Sequence, residues 1–320
     1  YVAPLERPTM NQPLSPSVVE LDGPFEHEFL HTRGIRLHAA TAGNPDHPLV
    51  VLLHGSFGGW FDYKDVLAEL AGAGFHVAAL DMRGFGMSDK PPLEVGQDIR
   101  VAVGDISGAI QALGHDDAFV VGADTGGAVA WALAAERPER VRGLVSVSAA
   151  HPADLRRAVA ARPWDFGWIL LRAALCRLTW LGWLGTTNPL LKEDAYRREM
   201  DLDTLGSFGK DEKEQALSLR IRASQIGNVR RGTLWNHRLR TAVVPLSWLE
   251  LKVFSPVLFI HADQLLWRPV ARRAARRCEK DFTATTVPNA KNLPYLENPT
   301  GFAQILAQWM RSHAQENHEN

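Results

Sequence analysis

The segment with the clearest chemical potential is Gly122-Ala123-Asp124-Thr125-Gly126, which follows an apolar run and precedes a helical pattern. A Gly-x-Asp-x-Gly arrangement matches the general form of a nucleophile elbow, a sharp strand-to-helix turn that exposes its central side chain. Glycines flank that residue because a Cβ there would clash with neighbouring backbone. A carboxylate in this place can attack an sp3 carbon and form an alkyl ester. The alternative is that Asp124 only caps the helix that follows.

Two glycine-containing loops follow neighbouring apolar runs and are expected to lie beside this turn. His54-Gly55-Ser56-Phe57-Gly58-Gly59-Trp60 comes directly after the run at 49–53, and a loop beginning with Asp81 follows the run at 75–80. The first loop can offer one backbone N–H group to an oxyanion hole, and the N–H group of Thr125 can offer the other. The candidate oxyanion and binding residues are therefore Ser56, Phe57, Trp60 and Thr125.

The apolar patterning predicts the elements that would position these loops. Predicted strands occupy 26–31, 35–40, 49–53, 75–80, 118–121, 141–147, 257–260 and 283–287. Predicted helices occupy 62–72, 98–113, 126–136, 270–280 and 300–315. Because strands and helices alternate, we expect an α/β fold with a doubly wound, mostly parallel sheet. Ligands bind outside the carboxyl ends of the strands in such sheets, which is where the elbow and both loops begin.

The alternation stops near residue 150 and resumes at 257, which divides the chain. We predict an irregular arm over 1–24 that lies on the body or is disordered, a core over 25–150 and 246–320, and a helical cap over 151–245. A cap that interrupts a parallel sheet is most simply a lid over the strand ends. Its tryptophans are Trp164, Trp168, Trp180, Trp183 and Trp235. Together they indicate an apolar cavity between core and cap that takes a small hydrophobic ligand.

Composition and charge exclude several other classes of protein. Of the 320 residues, 46% are hydrophobic, and 35 basic against 36 acidic residues give a formal charge of -1. This balance argues against a nucleic-acid partner held by overall charge. No apolar run reaches the roughly 18–20 residues of a membrane span, so we expect a soluble, cytoplasmic protein. Two cysteines exclude a disulfide framework and a multi-cysteine zinc site, and we expect no metal and no cofactor. A basic segment at 271–277 is either a solvated helix face or a contact for an acidic partner or a lipid headgroup.

The elbow and the two loops together resemble the α/β-hydrolase fold superfamily. Asp124 at the elbow and the run DMRGFGMSDKP from Asp81 to Pro91 resemble its epoxide hydrolase and haloalkane dehalogenase branch, more closely the epoxide hydrolases. The run PNAKNLPYLENP from Pro288 to Pro299 is similar to the C-terminal signature of that branch. The resemblance covers about 25–150 and 250–310 and is weak in the cap. It implies an α/β-hydrolase fold with a helical cap and a nucleophile at Asp124.

The chain departs from this family at the residues that complete its chemistry. The family signature carries a histidine that activates the water which hydrolyses the ester, and Asn292 stands in its place, after Lys291 in the place of a glycine. An amide has no basic nitrogen near pH 7. The acid that orients the histidine would by spacing fall on Leu265. Asp263, two residues earlier, is either a shifted acid or a solvated loop residue.

The groups that could replace these functions are sparse. His151 at the start of the cap is the candidate for a shifted base, whereas His261 is expected to be a packed structural residue. The other late histidines, which lack the family spacing, are His237, His313 and His318.

The cap also departs from the family. Epoxide hydrolases use cap tyrosines to protonate the epoxide oxygen, but segments 167–175 and 232–240, where such tyrosines would fall, contain none, and Tyr196 lies elsewhere in the cap. Thr125 replaces the tryptophan that follows the nucleophile in dehalogenases.

Three functions are compatible with this pattern. The sequence favours a degenerate hydrolase that keeps the fold and Asp124, lacks efficient turnover because the base is Asn292, and binds a hydrophobic ligand or a protein partner. The second is an active, epoxide hydrolase-like enzyme with a relocated base, either His151 or Asp263 acting through water. The third is a single-turnover trap in which an ester on Asp124 persists. Loss of a general base alone costs about 10²–10⁴-fold in rate.

Overall fold

One mixed sheet forms the centre of the protein, whose computed structural model describes residues 13–92, 98–177 and 188–314. Its strands in chain order are β1 (Glu26–Thr32), β2 (Ile35–Ala42), β3 (Leu49–Leu53), β4 (His76–Leu80), β5 (Ala118–Ala123), β6 (Val141–Val147), β7 (Val257–Ile260) and β8 (Phe282–Thr285). They lie in the spatial order β1-β2-β4-β3-β5-β6-β7-β8. β2 is antiparallel to β1 and β4, and the later pairs from β3 to β8 are parallel. The predicted doubly wound, mostly parallel sheet is confirmed.

Helices cover both faces of the sheet. Those of the core are α1 (Lys64–Gly72), α2 (Ile99–Ala112) and α3 (Asp124–Glu136), and those of the cap are α4 (Pro152–Ala161), α5 (Gly167–Arg177), α6 (Glu193–Asp203), α7 (Lys210–Ser224) and α8 (Val229–Leu239). The core continues with α9 (Trp267–Arg277), α10 (Pro294–Glu297) and α11 (Pro299–Ala314). Val51 and Leu53 of β3 pack with α2 and α3, whereas Val50 and Leu52 pack with α1 and α11. This alternation explains why β3 reads as a continuous apolar run.

Several element bounds differ from the predicted ones by two or three residues, among them those at the elbow and those of α9. β5 extends to Ala123 and α3 begins at Asp124, two residues before the predicted start of that helix. A short 3-10 helix, Trp60–Tyr63, precedes α1, and α9 begins at Trp267. Three predicted strands, 49–53, 141–147 and 257–260, have the observed bounds. Continuous burial on both faces makes such strands easy to recognise from apolar runs.

The cap is helical in the parts that the structure describes, and the predicted division at 151 and 245 stays a prediction. Trp180 and Trp183 of the cap, the first 12 residues of the arm and His318 lie outside the described residues. No described helix is both long and apolar enough to cross a membrane.

The described part of the arm joins cap and core. Leu14 pairs with Ile226 at the end of α7, and its N–H group donates to the carbonyl of Gln225 at 3.0 Å. Five residues on, the carbonyl of Val19 accepts a 2.9 Å hydrogen bond from the indole of Trp60 in the core. Residues 13–24 therefore lie on the body of the protein, as one of the two alternatives for the arm predicts.

A buried ion pair also ties the first cap helix to the core. The guanidinium of Arg277 in α9 donates to both carboxylate oxygens of Asp154 in α4, at 2.6 and 2.9 Å. It also donates to the carbonyl of Leu251 at 2.6 Å. Arg277 is buried, so this member of the basic segment at 271–277 belongs to the interior rather than to a solvated face.

Candidate active site

Asp124 lies at a strained turn between β5 and α3. Its φ is +47°, in the left-handed region that side chains with a Cβ rarely adopt. The flanking glycines leave no space for a Cβ: at Gly122 it would lie 2.5 Å from the carbonyl oxygen of Gly126, and at Gly126 it would lie 2.4 Å from that of Leu53. The structure therefore has the local geometry of a nucleophile elbow, with Asp124 as its central residue.

Both carboxylate oxygens of Asp124 are occupied by donors. Oδ2 accepts from the backbone N–H and the hydroxyl of Ser56, at 3.1 and 3.0 Å, and from Nη2 of Arg172 at 3.0 Å. Oδ1 lies 2.5 Å from Nη1 of Arg240. Burial alone would raise the pKa of Asp124, but the charges of the two arginines and the Ser56 N–H hold it well below its usual range. These contacts favour the ionised form of Asp124, and each of its two oxygens is paired with a guanidinium.

The two arginines come from the cap segments in which the family resemblance implies tyrosines. Arg172 lies in α5, inside segment 167–175, and Arg240 follows α8 at the end of segment 232–240. Both segments therefore deliver a side chain to the elbow, but a guanidinium in place of a phenol. A guanidinium stays protonated at any physiological pH and cannot hand its proton to an epoxide oxygen.

Arg172 links the elbow to a buried histidine. Its Nη2 lies 2.8 Å from Nδ1 of His237 and 3.1 Å from the hydroxyl of Ser56, and its guanidinium stacks 5.1 Å above the ring of Phe57. A guanidinium only donates, so Nδ1 of His237 is the acceptor and carries no proton. Burial and the charge of Arg172 hold the pKa of His237 well below its usual range. The lone pair on Nδ1 of His237 accepts the hydrogen bond from Arg172, so this nitrogen is not free to act as a base beside Asp124.

Asn292, at the family's base position, is satisfied as an amide. Its Oδ1 accepts from the hydroxyl of Ser148 at 2.9 Å and from the indole of Trp267 at 3.2 Å. Its Nδ2 donates to Oδ1 of Asp203 at 2.8 Å and lies 3.5 Å from Oε1 of Gln264. Every donor and acceptor of the side chain has a partner of the opposite kind, so the surroundings suit an amide.

Neither residue that the sequence offers for the orienting acid, Leu265 or Asp263, lies beside Asn292. Leu265 is 74% exposed and Asp263 is also exposed, so neither side chain faces Asn292. Gln264, between them, faces inward instead. The reason is a tight turn before α9, in which the N–H of Gln264 donates to the carbonyl of Ala262 at 2.7 Å. Both candidate acids are therefore placed away from the site.

Among the four predicted oxyanion and binding residues, Trp60 is wrong as a binding residue. It is fully buried beneath the loop, where its N–H donates to Asp81 at 3.1 Å and its indole bonds the arm. Ser56 and Thr125 lie at the elbow, with 2.9 Å between their hydroxyl oxygens. Phe57 lines the cavity described below.

His151 is wrong as a shifted base. It is 1% exposed and its Nδ1 accepts the N–H of Ala153 at 3.3 Å, which caps α4. Burial lowers its pKa to about 3. His261, the expected structural histidine, places its Nδ1 2.7 Å from the carbonyl of Ala262. None of the described residues that line the cavity beside Asp124 is a histidine.

A cavity of about 230 Å³ separates the elbow from the cap. Its apolar walls are formed by Phe57, Phe166, Trp168, Ile169, Leu266 and Trp267. Charged and polar side chains also reach it: Asp124, Glu199, Asp203, Arg240, Lys291 and Asn292. The predicted apolar cavity is therefore mixed, because the cap contributes charged groups that its tryptophans and leucines do not reveal.

Two carboxylates on one face of α6 border this cavity. Glu199 and Asp203 lie four residues apart, and burial raises the pKa of Asp203 and that of Glu199, the latter to about 7. Glu199 accepts from Arg220 at 2.7 Å, and Arg220 also binds both oxygens of Asp62 in the core, at 3.1 and 2.9 Å. This buried row of Glu199, Arg220 and Asp62 joins α6 and α7 of the cap to the core.

Sequence reasoning missed the charged groups of the cap. Arg172 interrupts an otherwise apolar run in α5, and Glu199 and Asp203 share a helical spacing of four. These signals show that a residue is unusual for its helix face. They do not show that Arg172 and Arg240 face Asp124, since that contact depends on how the cap packs on the core.

Replacing Glu199 by glutamine should change how stability depends on pH. The folded protein binds a proton at Glu199 up to about pH 7, whereas the unfolded chain releases it near the ordinary pKa of 4.5. The stabilisation is therefore complete below about pH 4.5 and is lost as the pH rises through about 7. The unfolding free energy of the native protein should fall by on the order of 3 kcal/mol relative to Glu199→Gln across this interval.

Denaturant unfolding at a series of pH values measures this difference. Glu193→Gln is the matched control, because Glu193 is an exposed carboxyl at the start of the same helix. Its profile should run parallel to that of the native protein. Parallel profiles for Glu199→Gln as well would contradict a proton held at Glu199.

The strained elbow, the loops at the strand ends and the helical cap define an α/β hydrolase, and comparison with known proteins agrees. Residues 48–264 match the model of the alpha/beta hydrolase fold family. This is more than half of the chain, which therefore belongs to that family.

Curated relatives narrow the branch. The chain is 43% identical to Epoxide hydrolase B of Mycobacterium tuberculosis (strain ATCC 25618 / H37Rv) over 124 residues, 38% of this chain and 35% of that protein. It is 40% identical to AB hydrolase superfamily protein YfhM of Bacillus subtilis (strain 168) over 136 residues, 42% of this chain and 48% of that protein. The matches thus span about a third to a half of the length of these relatives. They confirm the resemblance to the epoxide hydrolase branch.

A solved structure extends the likeness in fold to most of the chain. Epoxide Hydrolase A from Mycobacterium thermoresistibile superposes with a TM-score of 0.71, covering 90% of this chain and 98% of that one, at 21% identity. At this identity the likeness concerns the fold.

Proposed function

We propose that this chain binds a small ligand in the cavity between core and cap and does not turn over epoxides or haloalkanes at enzymatic rates. The observation that carries the proposal is the state of Asp124, whose two oxygens are ion-paired with Arg172 and Arg240 of the cap. Asn292 at the base position supports it, because its amide is fully hydrogen-bonded and cannot accept a proton.

A mechanism through an alkyl ester has two steps, attack by Asp124 and hydrolysis of the ester, and the site is poorly equipped for both. Attack by Asp124 needs a nucleophilic carboxylate oxygen, but each oxygen is paired with a guanidinium, which lowers its nucleophilicity. Hydrolysis of the ester needs a base near the position of Asn292, and the described cavity lining contains no histidine. Removing one such group costs about 10²–10⁴-fold, and groups that act together lose their effect together. Turnover is therefore expected at background.

Incubation with a panel of epoxides and haloalkanes tests the proposal, with intact-protein mass and product formation as readouts. We expect no adduct and no more product than with Asp124→Ala. A stable adduct that Asp124→Ala abolishes would instead assign a covalent trap. Product above the level of that variant would assign an active hydrolase.

One contact favours the active hydrolase as a second candidate. Asp203 lies 2.8 Å from Nδ2 of Asn292, so a carboxylate borders the place of the family base. If turnover occurs, Asp203→Asn should abolish it when Asp203 is the base that activates water. Asp201→Asn is the matched control, because Asp201 is an exposed carboxylate on the same helix. Equal activity of both variants would exclude Asp203.

A further inference from the structure

Two guanidinium groups share one carboxylate at ion-pairing distance in the elbow, and the charges of Asp203 and Glu199 act on Arg240 from across the cavity. The shared carboxylate is that of Asp124, at 3.0 Å for Arg172 and 2.5 Å for Arg240. Arg172 is additionally bonded to Ser56 and His237. Arg240, in contrast, has one close carboxylate and lines the cavity. A buried cation that is incompletely compensated is a site for an anion.

Two buried donors at the cavity have no acceptor. Nε of Arg240 and Nε1 of Trp168 are both buried without a hydrogen-bond partner, and both residues line the cavity. Leaving a buried N–H group unpaired is costly, so such groups indicate where an acceptor is missing. The amide of Asn292, in contrast, has its donors and acceptor satisfied and offers little to a ligand.

Resting on the binding function proposed above, we infer that the cavity takes a small apolar monocarboxylate whose carboxylate binds Arg240 beside Asp124. A planar guanidinium recognises a carboxylate through paired N–H groups. The apolar body of the ligand packs against the aromatic and aliphatic walls, among them Phe166, Trp267 and Leu266.

An organic ammonium ion is the competing ligand, since Glu199 and Asp203 border the same cavity. Glu199, however, is already paired with Arg220 at 2.7 Å, and Asp203 accepts from the amide of Asn292 at 2.8 Å. Among the cavity-lining residues with an unpaired buried donor, Arg240 is the one that carries a charge.

Isothermal titration with three probes of equal chain length decides between these ligands: octanoate, octanamide and octylammonium. We expect octanoate to bind at least about tenfold more tightly than octanamide, because its hydrogen bonds are charge-assisted, and octylammonium to bind most weakly. Arg240→Gln should remove the preference for octanoate over octanamide. Arg156→Gln, which removes an exposed charge from cap helix α4, should leave it unchanged.

The inference is overturned if octanoate and octanamide bind equally, if octylammonium binds most tightly, if none of the probes binds, or if Arg240→Gln keeps the preference. Should Arg240→Gln fail to fold, the three probes on the native protein and on Arg240→Lys decide, since lysine keeps the charge and should keep a reduced preference. Turnover that Asp124→Ala abolishes would contradict the proposed function alone. If octanoate does not bind and no turnover is observed, only the inferred ligand class is contradicted.

Discussion

Asp124→Ala is expected to lower the free energy of unfolding by about 3–5 kcal/mol, the range found when one partner of a buried ion pair is removed. The change leaves Arg172 and Arg240 close together beneath the cap without their shared carboxylate. In a working enzyme the opposite trend is common, because an active site often holds strained or unfavourable groups whose removal stabilises the fold. Chemical denaturation measures the difference directly.

Asp165→Ala is the matched control, because Asp165 also lines the cavity but is exposed. Its effect should stay within about 0.5 kcal/mol, as for ordinary surface positions. Unchanged or increased stability of Asp124→Ala would contradict the idea that Asp124 holds the two cap arginines. It would also remove the main support for a non-catalytic role of the elbow.

Replacing Arg220 by methionine should destabilise the protein by a similar amount, about 3–5 kcal/mol. Arg220 is 2% exposed and contacts Asp62 of the core and Glu199 of the cap at once. Its loss leaves Asp62 and Glu199, two buried carboxyl groups, without their shared donor at the interface between cap and core. Thermal and denaturant unfolding measure the effect, and limited proteolysis shows whether the cap is cleaved first.

Arg222→Met tests whether the effect is specific, since Arg222 is an exposed arginine on the same helix and should tolerate the change. Neutralising both carboxylates in the Arg220→Met background, with Asp62→Asn and Glu199→Gln, should recover part of the lost stability. A small effect of Arg220→Met, equal to that of Arg222→Met, would show that the buried row does not hold the cap.

The core was predictable because its signals are local. The buried parallel strands β3 and β7 are continuous apolar runs, and β6 is apolar apart from Arg142 and Ser146; the observed bounds of all three equal the predicted ones. Asp124 was recognisable because a glycine on each side is required by the turn itself. The substitution of Asn292 was visible because the flanking signature places it, and the structure puts that amide beside the cavity.

The cap side of the site was not predictable in the same way. Arg172 and Arg240 are 48 and 116 residues from Asp124 along the chain, and their contact depends on the packing of α5 and α8 over the sheet. The prediction of the orienting acid at Leu265 or Asp263 depended on a more local feature. One tight turn at Gln264 decides which of three consecutive side chains points inward. Neither the packing of the cap on the sheet nor the turn at Gln264 can be recognised from the residue types in the sequence.

The pairing of Leu14 with Ile226 has a consequence for movement of the cap over the cavity. Leu14 pairs with Ile226 at the end of α7 in the cap, and Val19, five residues on, is hydrogen-bonded to Trp60 of the core. The arm therefore links the cap to the core in addition to the two covalent connections of the cap. A hinge rotation of the whole cap would have to break these contacts of Leu14 and Val19. Shortening the chain ahead of β1 would remove these contacts and should make rotation of the cap easier.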